Sequence, residues 1–208
     1  MEPLVCRCRR HWPAILVALA LLLPGCTRSR PAAYYQLTAI AAEQGLVSSA
    51  TTAALGIALG PVRLPEMLDR PQLVIRTGAN RMEIVDDRRW IEPPAVTISR
   101  VLRENLAVLL ATERIVAYPW TRNDAFDYQV VVEILRFEGQ EVREAHLEAI
   151  WAVRNRHGEP LIPERRARFQ VPAASPDYDG LVRALSDTLS LLCREISREI
   201  KNLPASRQ

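Results

Sequence analysis

The last part of the chain carries the pattern that most limits the fold. Leu181, Leu185, Thr188, Leu192, Ile196 and Ile200 recur every three or four residues, and Leu189 and Leu203 widen the stripe. This is an amphipathic helix over residues 180–202, and so wide an apolar stripe needs a broad apolar surface beneath it. Asp177 or Asp179 can cap it. A second helix is expected over residues 95–112. There Ile98, Val101, Leu102, Leu106, Leu109 and Leu110 share one side, and Arg100, Arg103 and Glu104 take the other. The remaining segments alternate with the period of strands. Strands are expected at 34–37, 57–62 (interrupted by Gly60-Pro61), 72–76, 81–85, 114–118, 127–137, 145–153 and 164–171. Turns fall at 77–80, 138–140 and 155–158. Residues 64–68 read as one helical turn, 41–54 as a small-residue polar loop, and 86–92 as a charged loop holding Trp90. The order is β-β-β-β-α-β-β-β-β-α. Two helices are too few to cover both faces of such a sheet. The expected fold is therefore α+β, a mixed or antiparallel sheet with two long amphipathic helices packed on one face.

The opening residues obey a different logic. Arg7, Arg9 and Arg10 stand against the single acid Glu2, and an uncharged apolar stretch follows at 13–23. That stretch is too short to span a hydrocarbon core of roughly 30 Å. A basic region, a short apolar run and a small residue before the cut make a secretory signal peptide. The run ends at Leu23-Pro24-Gly25-Cys26, which resembles the bacterial lipobox. In lipoproteins the cysteine thiol receives diacylglycerol, cleavage makes it the first residue, and its amine is acylated, palmitate being a usual chain. Two or three acyl chains hold a protein durably at a membrane where one binds marginally. The expected division is a cleaved signal peptide at 1–25, a lipidated tether at 26–33 with Cys26 as the modified residue, and a single domain at 34–203. Thr27 follows the cysteine, where an aspartate marks inner-membrane retention in enteric lipoproteins. That points to the outer membrane, periplasmic face.

Removing the signal leaves 183 of 208 residues, enough for one domain with a proper core. It leaves 24 Lys and Arg against 23 Asp and Glu, a near-neutral balance that gives no footprint for nucleic acid. Cys6 and Cys8 leave with the signal. Cys193 then sits within a helical pattern as a small core residue. His146 lies on an expected strand and His157 in a turn, neither at metal-ligand spacing. No G-x-S-x-G elbow and no phosphate-binding G-x-x-x-x-G-K-S/T occurs. Asp86-Asp87 reads as a solvated pair. No catalytic residue, no metal and no cofactor beyond the lipid is expected, and the chain does not read as an enzyme. Two stretches resist a purely structural account: residues 60–80, and Tyr118-Pro119-Trp120. Arg63, Asp69, Arg70, Trp90, Tyr118 and Trp120 are the candidate partner-binding residues, of the types that anchor protein interfaces. The competing account pairs Arg70 with Asp69 or makes it cap the short turn, and uses Trp90 and Trp120 to cover core edges.

These residues also carry a resemblance. GPVRLPEMLDRPQLVIRTGANRMEI, then DRRW, VLRENLAVLL, AYPW and DYQVVVEILRF are similar to the PqiC family of ABC-type transport auxiliary lipoproteins, or membrane-integrity-associated transporter subunits. The likeness runs from Tyr34 to the final helix, and L-P-x-x-L-D-R-P is its most specific segment. The longer stretch at 41–54 departs from it. The resemblance implies a lipoprotein at the outer membrane that works with an MCE-domain protein bridging the periplasm and with that protein's inner-membrane partner. Such systems move lipids between the two membranes and support envelope integrity. A homo-oligomeric ring capping an MCE tube fits this role, and the family supplies no catalytic residues. The alternative is a lipoprotein regulator of cell-wall synthesis enzymes. Seven tether residues reach some 25 Å at up to roughly 3.5 Å each, which suits a docking part held near its membrane.

Overall fold

The computed structural model describes residues 31–40, 55–120 and 126–203. The signal segment, Cys26 and the loop at 41–54 lie outside them. The described residues form eight strands and two helices in the expected order: β1 (Ala33–Tyr35), β2 (Ile57–Arg63), β3 (Gln72–Gly78), β4 (Arg81–Trp90), α1 (Pro94–Leu110), β5 (Ile115–Ala117), β6 (Tyr128–Gln140), β7 (Glu144–Asn155), β8 (Pro160–Pro172) and α2 (Tyr178–Lys201).

The sheet is built around β6. On one side it pairs antiparallel with β7, which pairs antiparallel with β8. On the other side its 13 residues serve two partners. Its start runs parallel to β2 (Ile57↔Tyr128, Leu59↔Val130), and its end runs parallel to β3 (Ile75↔Gly139). Beyond these, β2 carries β5 in parallel, β3 carries β4 antiparallel, and β4 carries β1 in parallel.

Both helices cover one face, as the apolar stripes require. Val130, Val132 and Ile134 of β6 and Ala145, Leu147, Ala149, Trp151 and Val153 of β7 share one core with Ile98, Leu102 and Leu106 of α1 and Leu185, Leu189 and Ile196 of α2. Each fully buried Val, Leu or Ile contributes roughly 1.5–3 kcal/mol. The helices touch each other where the Cys193 Sγ lies 3.8 Å from the Leu102 carbonyl. The cavity bordered by Leu73, Trp90, Phe137 and Leu181 is about 10 Å³, room for one water at most.

The cap of α2 is Asp177, whose carboxylate accepts from the Gly180 N–H at 2.7 Å and from the Ser175 hydroxyl at 2.8 Å. The Gly180 N–H, then the Ser175 hydroxyl, hold that carboxyl below the usual carboxylate range. Gly180 itself is set by close approach, because a Cβ there would stand 2.5 Å from the Ser175 carbonyl oxygen.

Three boundaries differ from the sequence reading by three residues or more. Residues 86–90 are not a loop but the second half of β4, because β1 pairs with them (Ala33↔Arg88, Tyr35↔Trp90). Residues 138–140 continue β6, and the chain reverses at 141–143 with Glu141 and Val142 at positive φ (50° and 56°). Gly139 faces the Leu181 side chain, so its lack of a Cβ serves helix packing and not a turn. The final strand starts at Pro160, four residues before the expected position.

The opposite face of the sheet is polar. Glu138, 2% exposed, accepts from the Arg76 and Arg136 Nε atoms, each at 2.6 Å. Glu148 binds Arg168 at 2.7 Å and Arg166 at 2.5 Å. The Arg168 guanidinium, followed by Arg166, lowers the Glu148 pKa. Among the described residues neither helix covers this β6–β7–β8 face.

Candidate docking surface

The first turn of α1 gathers most of the residues singled out in the sequence. Pro93 and Pro94 start the helix and bring no side-chain cap of their own. Asp69, from the short turn that follows β2, accepts from the Ala95 N–H at 3.3 Å and fills that role across the chain. Turn, helix start and the end of β4 are thereby locked together, since the Trp90 N–H donates to the Pro71 carbonyl at 2.7 Å.

Two concavities flank this helix start. One, of about 270 Å³, is bordered by Asp69, Arg70, Pro71, Trp90 and the segment 91–94. The other, of about 490 Å³, lies between α1 and the outer end of β2, with Pro61, Val62, Val96, Arg103 and Tyr118 on its walls. They adjoin, because Pro94 borders the first and Ala95 the second. Around them stand large apolar groups in water: Met67 is 50% exposed, Val96 55%, Ile91 56% and Tyr118 59%. Exposed apolar groups gathered in one place, unlike scattered ones, mark a contact surface.

The six candidate residues divide by role. Asp69, Arg70 and Trp90 meet in the smaller concavity, and Tyr118 stands on the larger. Trp90 is 8% exposed, so its ring belongs chiefly to the core and only an edge reaches the surface. Trp120 is half-buried and supports the surface from behind. Its ring stacks edge-on between Tyr118 and Phe126, at 5.4 Å from each. Arg63 is exposed beside Val62 at the end of β2. Arg70 does not pair with Asp69. Its Nε is buried and has no hydrogen-bond partner among the described residues. The sequence reading missed Ile91, Val96 and Arg103. The pair Pro93-Pro94 followed by an apolar residue on the polar side of a helix was the available signal.

Tyr118 is positioned by close packing. A Cβ at Gly60, whose φ is +122°, would stand 2.7 Å from the Tyr118 Cβ. Only glycine suits both the backbone and the contact.

The nucleophile and base candidates lie elsewhere. Cys193 is fully buried, and burial pushes its thiol up to about 12, the Asn105 side chain opposing only in part. The folded protein is therefore expected to resist N-ethylmaleimide at pH 8 and to take up one equivalent at Cys193 in 6 M guanidinium, read by intact mass on a Cys26→Ser chain lacking residues 1–25. Rapid labelling of the folded form would contradict this burial. His146 is 6% exposed and lies between Glu144 (2.9 Å) and Gln170 (3.3 Å) on the polar face. His157 sits in the turn before β8, its N–H donating to the Asn155 side chain at 2.9 Å. Among the described residues no three His, Cys, Asp or Glu side chains are grouped to hold a metal ion, and no helix is long and apolar enough to cross a membrane.

No curated protein matches the chain in sequence. Solved structures of similar fold exist. An uncharacterised protein superposes with a TM-score of 0.67 at 18% identity, covering 82% of this chain and 99% of its own. A protein from Xanthomonas campestris gives 0.63 at 14% identity, covering 80% and 93%. These likenesses establish the shared α+β fold. The family model described as the ABC-type transport auxiliary lipoprotein component matches residues 35–197, from β1 nearly to the end of α2. The chain belongs to the family of ABC-type transport auxiliary lipoprotein components.

Proposed function

We propose that the protein is an accessory subunit of an MCE-type intermembrane lipid transport system. In this reading Cys26 carries the lipid anchor, the domain stands on the periplasmic face of the outer membrane, and the surface around the start of α1 docks the periplasm-spanning MCE protein. Family membership across residues 35–197 is the observation that carries it. Three features support the finer assignment. The segment Leu23-Pro24-Gly25-Cys26 has the form of a lipobox. The tether is short. Among the described residues the space between sheet and helices beside Leu181 is only about 10 Å³, in keeping with a domain that holds a partner. Met67, Ile91, Val96 and Tyr118, with Arg70, supply the apolar and guanidinium anchors that such docking uses.

The test is isolation of the full-length lipoprotein from envelopes in mild detergent, followed by mass spectrometry of what accompanies it. An MCE-domain protein in the eluate, lost in Ile91→Ser/Tyr118→Ala, is the expected result. A cell-wall synthase in its place would overturn the reading in favour of a regulator of wall synthesis. Light scattering on the same eluate reads whether copies of the chain assemble into a ring.

A further inference from the structure

We propose that the sheet face turned away from the helices rests on the anionic membrane surface to which the chain is tethered. Arg76, Arg136, Arg166 and Arg168 hold the phosphate groups of its phospholipids. This rests on the reading of Cys26 as the lipid anchor and names the side of the domain that meets the bilayer.

Strand register gathers the four arginines. Arg136, Glu148 and Arg168 form one row across β6, β7 and β8, and Glu138, His146 and Gln170 form the next. Residues two apart on a strand share a face, so Arg166 joins Arg168. Arg76 reaches the same face from β3, where its Nε meets Glu138. Two carboxylates organise the four groups. Oε1 of Glu138 accepts from the Arg76 and Arg136 Nε atoms, and Oε1 of Glu148 accepts from those of Arg166 and Arg168. Each guanidinium is thus gripped at its inner nitrogen. Among the described residues only one of their outer nitrogens has a partner, the Arg76 Nη1, which donates to the Ala79 carbonyl at 3.1 Å. Glu144, the third acid at this end of the face, is engaged by His146 at 2.9 Å. With all three acids counted the cluster stays positive, and the Arg166 and Arg168 side chains stand 54% and 68% exposed.

Charge, topology and reach point to a phospholipid surface. A guanidinium binds phosphate through two N–H groups, and a phosphodiester carries the single negative charge that each Arg–Glu–Arg unit lacks. A polypeptide finds little to hold here. Strands β3, β6 and β7 are paired on both sides, and the outer edge of β8 is broken by Pro160, Pro163 and Pro172, which have no N–H to give. None of the four arginines borders either concavity of the docking surface. The tether sets the reach. It leads into β1, an edge strand of this sheet. From β1 through β4, β3, β6 and β7 to β8 the strands span about 24 Å, at roughly 4.8 Å for each step. Seven tether residues reach some 25 Å. The face therefore lies within reach of the leaflet that holds the acyl chains of Cys26. Both helices cover the other face, so the docking surface at the start of α1 is turned from the bilayer toward a partner.

The experiment reconstitutes the acylated lipoprotein in vesicles of phosphatidylglycerol and phosphatidylethanolamine that contain a lipid with a nitroxide on its headgroup. A nitrobenzoxadiazole fluorophore is placed on Gln170→Cys, on the polar face, or on Leu191→Cys, exposed on α2. Quenching at 170 is expected to exceed that at 191, to weaken with salt, and to be weaker in vesicles of phosphatidylcholine, whose headgroup has no net charge. The excess should be lost in Arg166→Gln/Arg168→Gln, kept in Arg166→Lys/Arg168→Lys, and kept in Arg194→Gln/Arg198→Gln, which removes two exposed arginines from α2. Circular dichroism verifies that each variant is folded. Equal quenching at the two positions, an excess that persists in Arg166→Gln/Arg168→Gln, or an equal excess in phosphatidylcholine would overturn the proposal. So would release of the quenching by inorganic phosphate at constant ionic strength, which would assign the site to a soluble phosphate. Partner capture from envelopes separates the two readings. If the MCE protein is captured while position 170 stays unquenched, the membrane-face proposal falls alone. If position 170 is quenched and no MCE protein is captured, the transporter reading falls alone.

Discussion

Trp151→Ala is expected to lower the unfolding free energy by about 3–5 kcal/mol. The ring is 1% exposed and points inward from β7, with Val132 of β6 on one side and Arg165 of β8 on the other. Its Nε1 donates to Glu195 of α2 at 3.0 Å, and the Arg165 guanidinium lies 5.9 Å from the ring centre. Arg165 in turn pairs with Glu199 at 2.9 Å. One side chain therefore fills the gap between the sheet and α2 and orients two of its polar contacts. Alanine removes the filling and leaves a cavity where the strand and helix backbones have little freedom to collapse. Trp151→Phe keeps most of the volume and loses chiefly the hydrogen bond, at about 1 kcal/mol. Urea unfolding followed by circular dichroism on residues 26–208 measures both. A loss under 1 kcal/mol for the alanine variant would mean that α2 is not held to the sheet through this residue.

Cys26→Ser is expected to have the second large effect, and on a different property. Radiolabelled palmitate should no longer be incorporated, and the precursor should keep residues 1–25, both read from immunoprecipitated protein and its intact mass. The domain should fold as before, since Cys26 lies before its first strand. Acyl chains contribute about 0.8 kcal/mol for each buried methylene, so the loss of two or three chains removes durable attachment and not a small increment of it. Persistent labelling in the variant would place the lipid on another residue and undo the tether geometry.

What was legible in the sequence follows from the range of the forces involved. The stripes through Ile98 and Leu181 are local patterns, and each forms the helix that its spacing requires. The alternation of Tyr128, Val130 and Val132 likewise yields β6. The tail of β4 was hidden. Asp-Asp-Arg-Arg-Trp is poor strand material by itself, and it is held extended by β1, whose residues lie more than fifty positions earlier. Gly139 was misread because a glycine after a strand has one sequence appearance and two uses. Here the use is room for Leu181. For the candidate surface, residue types were visible but convergence was not. Nothing local says that Arg70, Ile91 and Val96 share one helix start, because the Asp69–Ala95 bond and the Trp90–Pro71 bond that gather them are tertiary. The same convergence left the Arg70 Nε without the partner that its neighbour Asp69 suggested.

The most direct test of the account is photo-cross-linking in living cells. A benzophenone side chain is placed at Val96 or Tyr118, with Ile84 as the control. Ile84 is also an exposed apolar residue, 45% exposed, but it lies on the β3–β4 hairpin, away from the residues that border either concavity. The account predicts an adduct with a periplasm-spanning MCE-domain protein from positions 96 and 118 and none from position 84. Adducts with that protein from position 84 alone, or none with it from 96 and 118, would contradict the claim that the start of α1 is the docking surface.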